Sequence, residues 1–434
     1  MNTLFPPPAA TFSLRDYQVD LANKATDILS EHGLCYLAAE MRIGKTLIAL
    51  EVARLFGAKK VAFVTKKAVV LSKTVHQDYE KLSPGYELII TNYEQVKKHD
   101  WREIDFWCVD EAHNMGAFPN PSQRAMHIKA AAKGKPMLLL SGSPSPENFT
   151  MLYPQFSLSS FSPWKHYSCF LHWAEDYVDI QLKKVSYSRE VYDYTQAYKD
   201  KINRDIKPYM ISFTQKEAGF KTHIKETVLR VAMKDKTYDL MDQLKENNYL
   251  KFKEGEIDVV DKPAKYMSKL LQLCSGTVKL DNGHAITLDT SKADFIAERF
   301  AGQKIAIFYN FIQELKLMQE VFGDKLTTDL DEFNQTDKWI ALQIVSGREG
   351  ISLRGADALV YYNLSYSAVS YWQSRDRMSY RDKILPSLCF YIFSDNGIEN
   401  YVYRQVQNKK DYTAFHFRHH KHKLGKINYP EWMK

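Results

Sequence analysis

Residues 39–46 read Ala-Glu-Met-Arg-Ile-Gly-Lys-Thr, and this stretch decides the fold. The apolar run 35–38 before it is typical of a buried parallel strand, and the apolar spacing of 47–56 after it is typical of a helix. A Gly-Lys-Thr turn between a strand and a helix is the setting of a phosphate-binding loop, because the helix N-terminus offers free N–H groups and the positive end of its dipole. The stretch therefore predicts that Lys45 reaches nucleotide phosphates and that the Thr46 hydroxyl binds Mg²⁺.

A pair of acidic residues supports this interpretation. Taken alone, the loop leaves open a chance Gly-Lys-Thr before a helix, since Ala39 stands where the usual pattern has its first glycine. Asp110 and Glu111, however, directly follow the apolar run 105–109, and strands of open α/β sheets present functional residues at their C-terminal ends. We expect Asp110 to hold Mg²⁺ through its water shell and Glu111 to polarise the attacking water. A solvated acidic turn, the alternative, does not explain a strand that leads into two acids.

Three further segments follow in the order that one family has. They are Leu14-Arg15-Asp16-Tyr17-Gln18, Ser141-Gly142-Ser143-Pro144 after the apolar run 136–140, and Gln373-Ser374-Arg375-Asp376-Arg377-Met378-Ser379-Tyr380-Arg381. With the phosphate loop and the Asp-Glu-Ala-His sequence at 110–113, the chain resembles a superfamily 2 helicase or translocase with a DEAH box, closest to Swi/Snf-type and compact phage-type DNA helicases of the branch-migration kind. The resemblance covers nearly the whole chain.

The expected fold class is α/β, with two tandem RecA-like parallel-sheet domains, a helical extension and a β-hairpin insertion. Strand-like runs alternate with helical or loop segments in both halves, which favours parallel sheets with crossover helices. These runs are 35–38, 61–65, 87–91, 105–109 and 136–141 in the first half, and 304–309, 340–346, 358–363 and 388–393 in the second. The expected domains are 1–150 (RecA-like domain 1, ATP-binding), 151–300 (aromatic and helical extension and linker with a hairpin), 301–408 (RecA-like domain 2) and 409–434 (basic, His-rich tail).

The resemblance implies ATP and Mg²⁺ as cofactors, with adenine read by Gln18. The catalytic residues that it implies are Lys45, Asp110, Glu111, Arg377 and Arg381. The nucleotide-binding residues are Arg15, Gln18, Arg42, Gly44, Lys45, Thr46 and Gly350, of which Thr46 shares the metal with Asp110. The residues that would couple hydrolysis to movement are Ser141, Ser143 and Gln373.

The resemblance also implies a nucleic-acid interface. The residues it assigns there are Thr65, Lys66, Lys67, Thr91, Asn92, Tyr93, Ser346 and Arg348. Such contacts are mostly to the backbone, so little sequence specificity is expected. DNA, as a duplex, fork or junction, is the favoured partner, because the segments 151–177 and 271–276 resemble Swi/Snf-type features. RNA is the less favoured partner, and no membrane is expected.

One departure from the family concerns its last motif, Gln-x-x-x-Arg-x-x-Arg. Arg377 fits the first arginine, but Tyr380 occupies the position of the second, and Arg381 comes one residue later. An arginine at such a site stabilises charge on the γ-phosphoryl group in the transition state. Either Arg381 reaches the site through a local shift, or Arg377 works with another residue such as Arg375. The plain alternative is a set of surface arginines on a helix.

Three segments outside the motifs have both a functional and a structural interpretation. The tail 409–434 carries six lysines, one arginine and four histidines against two acids, so it is a basic DNA-binding arm, a metal site or a solvated end. The aromatic-rich run 151–177 is core rather than a base-stacking platform. The Asp-Asn-Gly sequence at 281–283 predicts a hairpin over 277–288, which is a strand-separating wedge or scaffold.

Composition agrees with an ordinary globular chain. Its 434 residues suffice for two or three domains, and 45% are hydrophobic and 26% charged. No apolar run approaches the ~20 residues of a transmembrane helix, and no secretory signal is expected at the N-terminus. The five cysteines form no C-x-x-C pair, and Cys35, Cys108 and Cys389 lie in predicted buried strands. This is the pattern of reduced thiols used as small core residues, so we expect the cytoplasm of a bacterium or of a phage-infected host.

Together these features predict an ATP-dependent DNA helicase or translocase that moves on duplex or branched DNA and remodels it by fork reversal, branch migration or unwinding. Three alternatives stay open: an RNA helicase of the same superfamily, a non-catalytic nucleic-acid-binding protein on an ATPase scaffold, and a histone-directed remodeller. The intact Lys45, Thr46, Asp110 and Glu111 argue against the non-catalytic protein, and Tyr380 is the feature in its favour.

Overall fold

The computed structural model describes residues 12–145, 148–186, 189–221, 224–252, 257–260, 262–345, 351–378, 380, 383, 385–395 and 397–408. The chain divides into two compact units between Gly219 and Phe220. Each unit has its own sheet and its own hydrophobic core. Among the described helices, none is both long and apolar enough to cross a bilayer.

The first unit is an α/β domain around a sheet of parallel strands. Its strands are β1 (Leu34–Ala39), β2 (Lys60–Thr65), β3 (Glu87–Asn92), β4 (Phe106–Val109), β5 (Met137–Ser141), β6 (Gln181–Ser186), β7 (Arg189–Asp193) and β8 (Met210–Phe213). Its helices are α1 (Asp16–His32), α2 (Lys45–Leu55), α3 (Lys67–Leu71), α4 (Thr74–Leu82), α5 (Gln123–Ala131), α6 (Leu152–Phe156), α7 (Phe170–Tyr177) and α8 (Lys199–Ile206).

The main sheet of this unit has the order β3-β2-β4-β5-β1-β8, and every neighbouring pair is parallel. The central strands β4 and β5 are buried along their whole length, as expected for a parallel sheet that is covered on both faces. All the strand C-termini therefore meet at one edge, where the phosphate loop, the acid pair and the Ser-Gly-Ser segment follow β1, β4 and β5. The order of the elements thus brings distant motifs to one edge.

The second unit is also an α/β domain. Its strands are β9 (Ile224–Val231), β10 (Tyr249–Lys251), β11 (Ile257–Val259), β12 (Thr277–Lys279), β13 (Ala285–Thr287), β14 (Ile305–Tyr309), β15 (Leu326–Thr327), β16 (Trp339–Gln343), β17 (Ala358–Tyr361) and β18 (Ser387–Ser394). Its helices are α9 (Asp235–Asn247), α10 (Pro263–Cys274), α11 (Ser291–Arg299), α12 (Ile312–Phe322), α13 (Leu330–Gln335), α14 (Ala368–Arg375) and α15 (Glu399–Gln407).

The main sheet of the second unit has the order β15-β16-β14-β17-β18-β9, again with parallel neighbours. The expected fold class, two tandem RecA-like parallel-sheet domains, is therefore confirmed. The domain limits differ from those expected. Strand β9 pairs with β18 over eight residues, so the second unit includes residues well before 301, and β8 extends the first sheet beyond residue 150. Residues 151–300 are shared between the two units instead of lying between them.

The aromatic-rich run 151–177 is core of the first unit, as predicted. Six of its aromatic side chains are buried, and Trp173 stacks on Tyr177 with ring centroids 5.0 Å apart. The buried six are Tyr153, Phe156, Trp164, Phe170, Trp173 and Tyr177. Helices α6, α7 and α8 thus supply the helical extension.

The predicted hairpin is present as β12 and β13, which pair antiparallel around a turn at Gly283 with φ +87°. Each strand has only three residues, and Thr277 and Val278 are buried against the core of the second unit. This burial favours the scaffold interpretation over the wedge. Separate antiparallel ladders join β6 to β7 and β10 to β11.

Candidate nucleotide and nucleic-acid site

The phosphate loop is the turn between β1 and α2. It bends through two residues in the left-handed region, Arg42 with φ +66° and Gly44 with φ +86°. A Cβ at position 44 would collide with the amide nitrogen of Gln18, so glycine is required there for both backbone conformation and space. The loop then enters α2 at Lys45, and this places the lysine at the first turn of the helix.

The Lys45 ammonium lies over the loop that precedes it. Its Nζ donates to the carbonyl oxygens of Ala39 at 3.0 Å and of Glu40 at 3.3 Å. A Cβ added to Gly142 would lie 3.6 Å from this nitrogen, so the segment after β5 borders the lysine as well. Carbonyls are neutral acceptors, and a phosphate oxygen would form a stronger, charge-assisted hydrogen bond with the same ammonium.

Gln18 is buried against the loop rather than exposed beside it. Its Oε1 accepts the backbone N–H of Arg15 at 3.0 Å, and its Nε2 donates to the Ile43 carbonyl at 3.0 Å. The Tyr17 hydroxyl donates to the same carbonyl at 3.0 Å. The structure therefore joins the upstream motif to the phosphate loop. A side-chain amide has two N–H groups and two lone pairs, so the contact with Ile43 leaves capacity for the predicted reading of adenine.

The acid pair lies at the C-terminal end of β4. The Asp110 carboxylate accepts the Thr65 hydroxyl at 2.9 Å and the backbone N–H of Glu111 at 3.0 Å. Burial, with the adjacent charge of Glu111, raises the pKa of Asp110 to about 6. Two half-buried carboxylates side by side repel each other's charge, and a cation relieves that repulsion.

Glu111 is held by His113 across a short 3-10 turn, Ala112–Met115. Glu111 has a left-handed backbone (φ +48°), and its Oε2 lies 3.2 Å from Nδ1 of His113. Burial raises the pKa of Glu111, but the hydrogen bond and charge of His113, followed by the charges of Lys45 and Lys66, outweigh burial and hold this pKa well below its usual range. This direction of the pKa shift favours the ionised form of Glu111.

His113 also joins the acid pair to the segment after β5. The same Nδ1 lies 2.9 Å from the Ser141 hydroxyl, which in turn accepts the backbone N–H of Ser143 at 3.0 Å. One ring nitrogen is thus shared between Glu111 and Ser141, and a single N–H serves only one of them at a time. The residues predicted to couple hydrolysis to movement, Ser141 and Ser143, are therefore one side chain away from the acid pair.

The donor set at this edge fits Mg²⁺. Carboxylate and hydroxyl oxygens are the ligands that Mg²⁺ takes, usually with several waters retained. Asp110 and Thr46 carry such oxygens, and the negative charge of Glu111 beside Asp110 favours a cation here. Within the described ranges, no cluster of three or more His, Cys, Asp or Glu side chains forms a metal site. A magnesium ion here would therefore depend on water and phosphate for its remaining ligands.

The predicted nucleic-acid contacts on the first unit fall into two groups. Thr65, Thr91 and Tyr93 are buried. The Thr65 hydroxyl serves Asp110, and the Tyr93 hydroxyl donates to the Asp110 carbonyl at 2.5 Å, so these two residues support the acid pair instead. Lys67 is exposed. Lys66 and Asn92 are half-buried.

In the second unit, Arg377 lies in the 3-10 turn Asp376–Met378 that follows α14. Its Nη1 donates to the Ile351 carbonyl at 3.1 Å, and its own carbonyl accepts the N–H of Leu353 at 3.1 Å. The arginine-bearing turn is thus fixed to the segment 351–353. Gln373, on α14, is buried.

Arg375 packs against an aromatic ring and an acid of the second unit. Its guanidinium stacks on Trp372, 3.9 Å from the ring centroid, and its Nη1 lies 3.5 Å from the Glu226 carboxylate. These contacts lie within the second unit, and the pairing of Arg375 or Arg381 with Arg377 stays a prediction. Tyr380 instead lies beside another cation, with the Arg354 guanidinium 5.0 Å from its ring centroid. Ser346, Arg348, Gly350, Arg381 and the tail 409–434 lie outside the described residues.

Comparison with known proteins decides the family. The family described as SNF2-related domain matches residues 48–279, which is more than half of the chain. The chain belongs to the SNF2-related family. Among solved structures, it is similar to the SWI2/SNF2 ATPase core of Sulfolobus solfataricus in complex with dsDNA, at 15% identity and a TM-score of 0.42 over 94% of this chain and 93% of that chain. No curated protein matches the sequence.

Membership of the SNF2-related family indicates a nucleic-acid-dependent ATPase. The matched region begins at Ile48, inside α2, and ends in β12, so it contains the acid pair and the Ser-Gly-Ser segment. The phosphate loop, residues 39–46, lies before the matched residues. Its assignment rests on its position between β1 and α2 and on the contacts of Lys45.

Sequence reasoning did not single out three residues that the structure connects to the motifs. Gln215 donates to the phosphate loop from the segment after β8, and Glu226, on β9, accepts hydrogen bonds from Tyr371 and Tyr391. Neither residue belongs to a motif, and the partners of each are more than 140 positions away along the chain. His113 belongs to the Asp-Glu-Ala-His sequence, and that signal could have identified it.

Proposed function

We propose that this protein is an ATP-dependent DNA translocase that moves on duplex or branched DNA and remodels it. The observation that carries the proposal is the meeting of Lys45, Asp110 and Glu111 at the C-terminal edge of one parallel sheet. Membership of the SNF2-related family supports both the use of ATP and the dependence on nucleic acid. Fork reversal and branch migration are the remodelling reactions that we propose from the resemblance of the motifs.

In the proposed mechanism, the phosphate loop and Lys45 bind the β- and γ-phosphates of ATP. Glu111, held ionised by His113, accepts the hydrogen of the attacking water and aligns it. Mg²⁺, when bound by Asp110 and Thr46, supplies positive charge against the phosphate oxygens. Arg377 carries over from the family motif as the arginine that stabilises charge on the transferred phosphoryl group, and Arg381 remains proposed as its partner.

DNA as the partner rests on charge and on accessible lysines. The chain carries a net charge of +7, and Lys67 is exposed beside the half-buried Lys66 where β2 ends. These two lysines follow a strand of the same sheet edge that carries the nucleotide loop, which supports contacts between them and a DNA backbone. A change in nucleotide state would then alter the grip on DNA.

The decisive experiment measures steady-state ATP hydrolysis by the wild type and Lys45→Ala without nucleic acid and with single-stranded DNA, duplex DNA, a four-way junction or duplex RNA. We expect strong stimulation by duplex or junction DNA and a loss of at least about 100-fold in Lys45→Ala, since the lysine serves the transferred phosphate. Stimulation by RNA alone would replace the proposal with an RNA helicase. No hydrolysis under any condition would indicate a non-catalytic binding protein.

A further inference from the structure

The phosphate loop is contacted by Gln215, a residue that follows β8 and belongs to no motif. Strand β8 pairs in parallel with β1, and the last pair in the register is Ala39 with Phe213. The ladder continues one step further, since the N–H of Glu40 donates to the Phe213 carbonyl at 2.9 Å. Residues 213–215 therefore run directly alongside the start of the phosphate loop.

Gln215 contacts the loop twice. Its backbone N–H donates to the Glu40 carboxylate at 2.7 Å, and its side-chain amide donates to the Met41 carbonyl at 3.0 Å. Two residues further along the loop, the Ile43 carbonyl accepts the side-chain amide of Gln18. Two glutamine side chains, one from each end of the first unit's sequence, thus hold alternate carbonyls of the same loop.

The direction of these carbonyls decides where the loop presents its N–H groups. In a trans peptide the C=O of one residue and the N–H of the next point in opposite directions. With the Met41 and Ile43 carbonyls fixed on Gln215 and Gln18, the N–H groups of Arg42 and Gly44 point away from the two glutamines. Phosphate loops bind phosphate through such backbone N–H groups.

The loop needs this support because its backbone is not in a relaxed conformation. Arg42 has φ +66°, which costs a non-glycine residue free energy, and the peptide it shares with Met41 is the one that Gln215 holds. Without the amide of Gln215, rotation of that peptide would turn its carbonyl toward the phosphates and remove one N–H from them.

We propose that Gln215 is a positioning residue for the phosphate loop, which it acts on by fixing the Met41 carbonyl so that the N–H of Arg42 faces the nucleotide. This inference rests on the proposed function, since it requires that the loop bind a nucleotide. It predicts that Gln215 acts on nucleotide affinity and not on the hydrolysis step itself, because its hydrogen bonds go to Glu40 and Met41 and not to Glu111.

The test compares Gln215→Met with Thr214→Ala in the full chain. Methionine keeps the length and volume of glutamine but has no donor. Thr214 is the matched control, because its hydroxyl and N–H bond to Glu217 and not to the loop. We expect the Kd for ADP with Mg²⁺, measured by titration calorimetry, to rise about two- to ten-fold in Gln215→Met, as for the loss of one hydrogen bond. Thr214→Ala should bind ADP as the wild type does.

Two further readouts separate positioning from a general loss of stability. The KM for ATP should rise by the same factor as the Kd in Gln215→Met, while kcat stays within about two-fold of the wild type. Gln215→Glu, which sets a second carboxylate beside Glu40 and the Met41 carbonyl, should weaken ADP binding further. Unfolding temperatures without nucleotide should be alike in Gln215→Met and Thr214→Ala.

Equal ADP affinity in the wild type and Gln215→Met would overturn the inference and leave the proposed function intact. A parallel loss of affinity and unfolding temperature in both Gln215→Met and Thr214→Ala would also overturn it, because the segment would then act only through the stability of β8. A wild type that binds no ADP would overturn the proposed function together with the inference.

Discussion

His113 lies between the acid pair after β4 and the Ser-Gly-Ser segment after β5. Its Nδ1 lies within hydrogen-bond distance of both the Glu111 carboxylate and the Ser141 hydroxyl. Glu111 occupies a left-handed backbone conformation, which costs a non-glycine residue free energy and persists where the surrounding structure holds it. His113 is buried and is itself contacted by Asn114, at 3.3 Å from Nε2, so the ring has little freedom to leave.

Removal of this imidazole should slow hydrolysis more than removal of the serine hydroxyl. His113→Ala takes away the partner of an ionised Glu111, and a hydrogen bond to a charged group is worth about 1.5–3 kcal/mol. We expect kcat for DNA-stimulated ATP hydrolysis to fall about 10- to 100-fold. Ser141→Ala keeps the contact between Glu111 and His113 and should cost about five-fold or less. Equal kcat values in the two variants would contradict this role for His113.

At the scale of elements, the central strands of both sheets were predictable, and so was the edge strand β3, but the other three edge strands, β8, β9 and β15, were not. Strands β1, β4, β5 and β14 are short apolar runs, and such runs are buried in parallel sheets whatever surrounds them. Strand β8 has the same local character but pairs with β1, about 175 residues earlier, as an added sixth strand. The local sequence pattern does not predict a pairing between strands so far apart in the chain.

The site was predictable to the extent that it follows strand ends. Parallel strands bring their C-termini to one edge, so the loop after β1 and the acids after β4 had to meet. Which side chains of these turns face inward depends on the pleat and on the bend of each turn. Thr65 and Tyr93 are therefore buried against Asp110 instead of facing solvent, although the family motif assigns both to nucleic acid. Gln215 reaches the phosphate loop from the segment after β8, a strand whose place in the sheet was not predicted.

We expect the position of helix α14 to determine the position of the turn with Arg377, which follows it directly. Glu226 on β9 accepts the hydroxyls of Tyr371 on α14 and Tyr391 on β18 through the same oxygen, each at 2.6 Å. Both tyrosines are fully buried, so Tyr371→Phe and Tyr391→Phe remove equivalent hydrogen bonds from different elements. Each should lower the free energy of unfolding by about 1 kcal/mol.

Only the change on α14 should affect catalysis. Tyr371→Phe loosens the helix that leads into Arg377, and we expect kcat to fall about five-fold, the equivalent of about 1 kcal/mol. Tyr391→Phe should leave kcat unchanged, because β18 leads to no residue of the site. Chemical denaturation and steady-state ATPase measurements on the same preparations make the comparison. A kcat that falls equally in both variants would show that the tyrosines act through stability alone.

At the scale of the whole molecule, the net charge indicates the class of partner but not the surface that binds it. The net charge of +7 predicts attraction to nucleic acid, but it does not say which surface is used. The parallel sheet of the first unit gives a geometric reason to choose one. Lys67 follows β2 and thus lies at the C-terminal edge, with the nucleotide loop, whereas Lys133 precedes β5 and lies at the opposite edge. Both side chains are exposed and carry the same charge.

These two lysines therefore form a matched pair for a salt-dependence experiment. When a lysine that binds a DNA phosphate is removed, the slope of log K against log salt becomes shallower by about one. We expect Lys67→Ala to reduce the slope for duplex DNA by about one, and to weaken binding alike on duplexes of different sequence. Lys133→Ala should leave the slope as in the wild type. It lowers the net charge by the same amount as Lys67→Ala, but Lys133 lies at the opposite edge of the sheet, where we expect no contact with a DNA phosphate. If both substitutions lowered the slope equally, binding would follow overall charge and not the edge that carries the nucleotide loop.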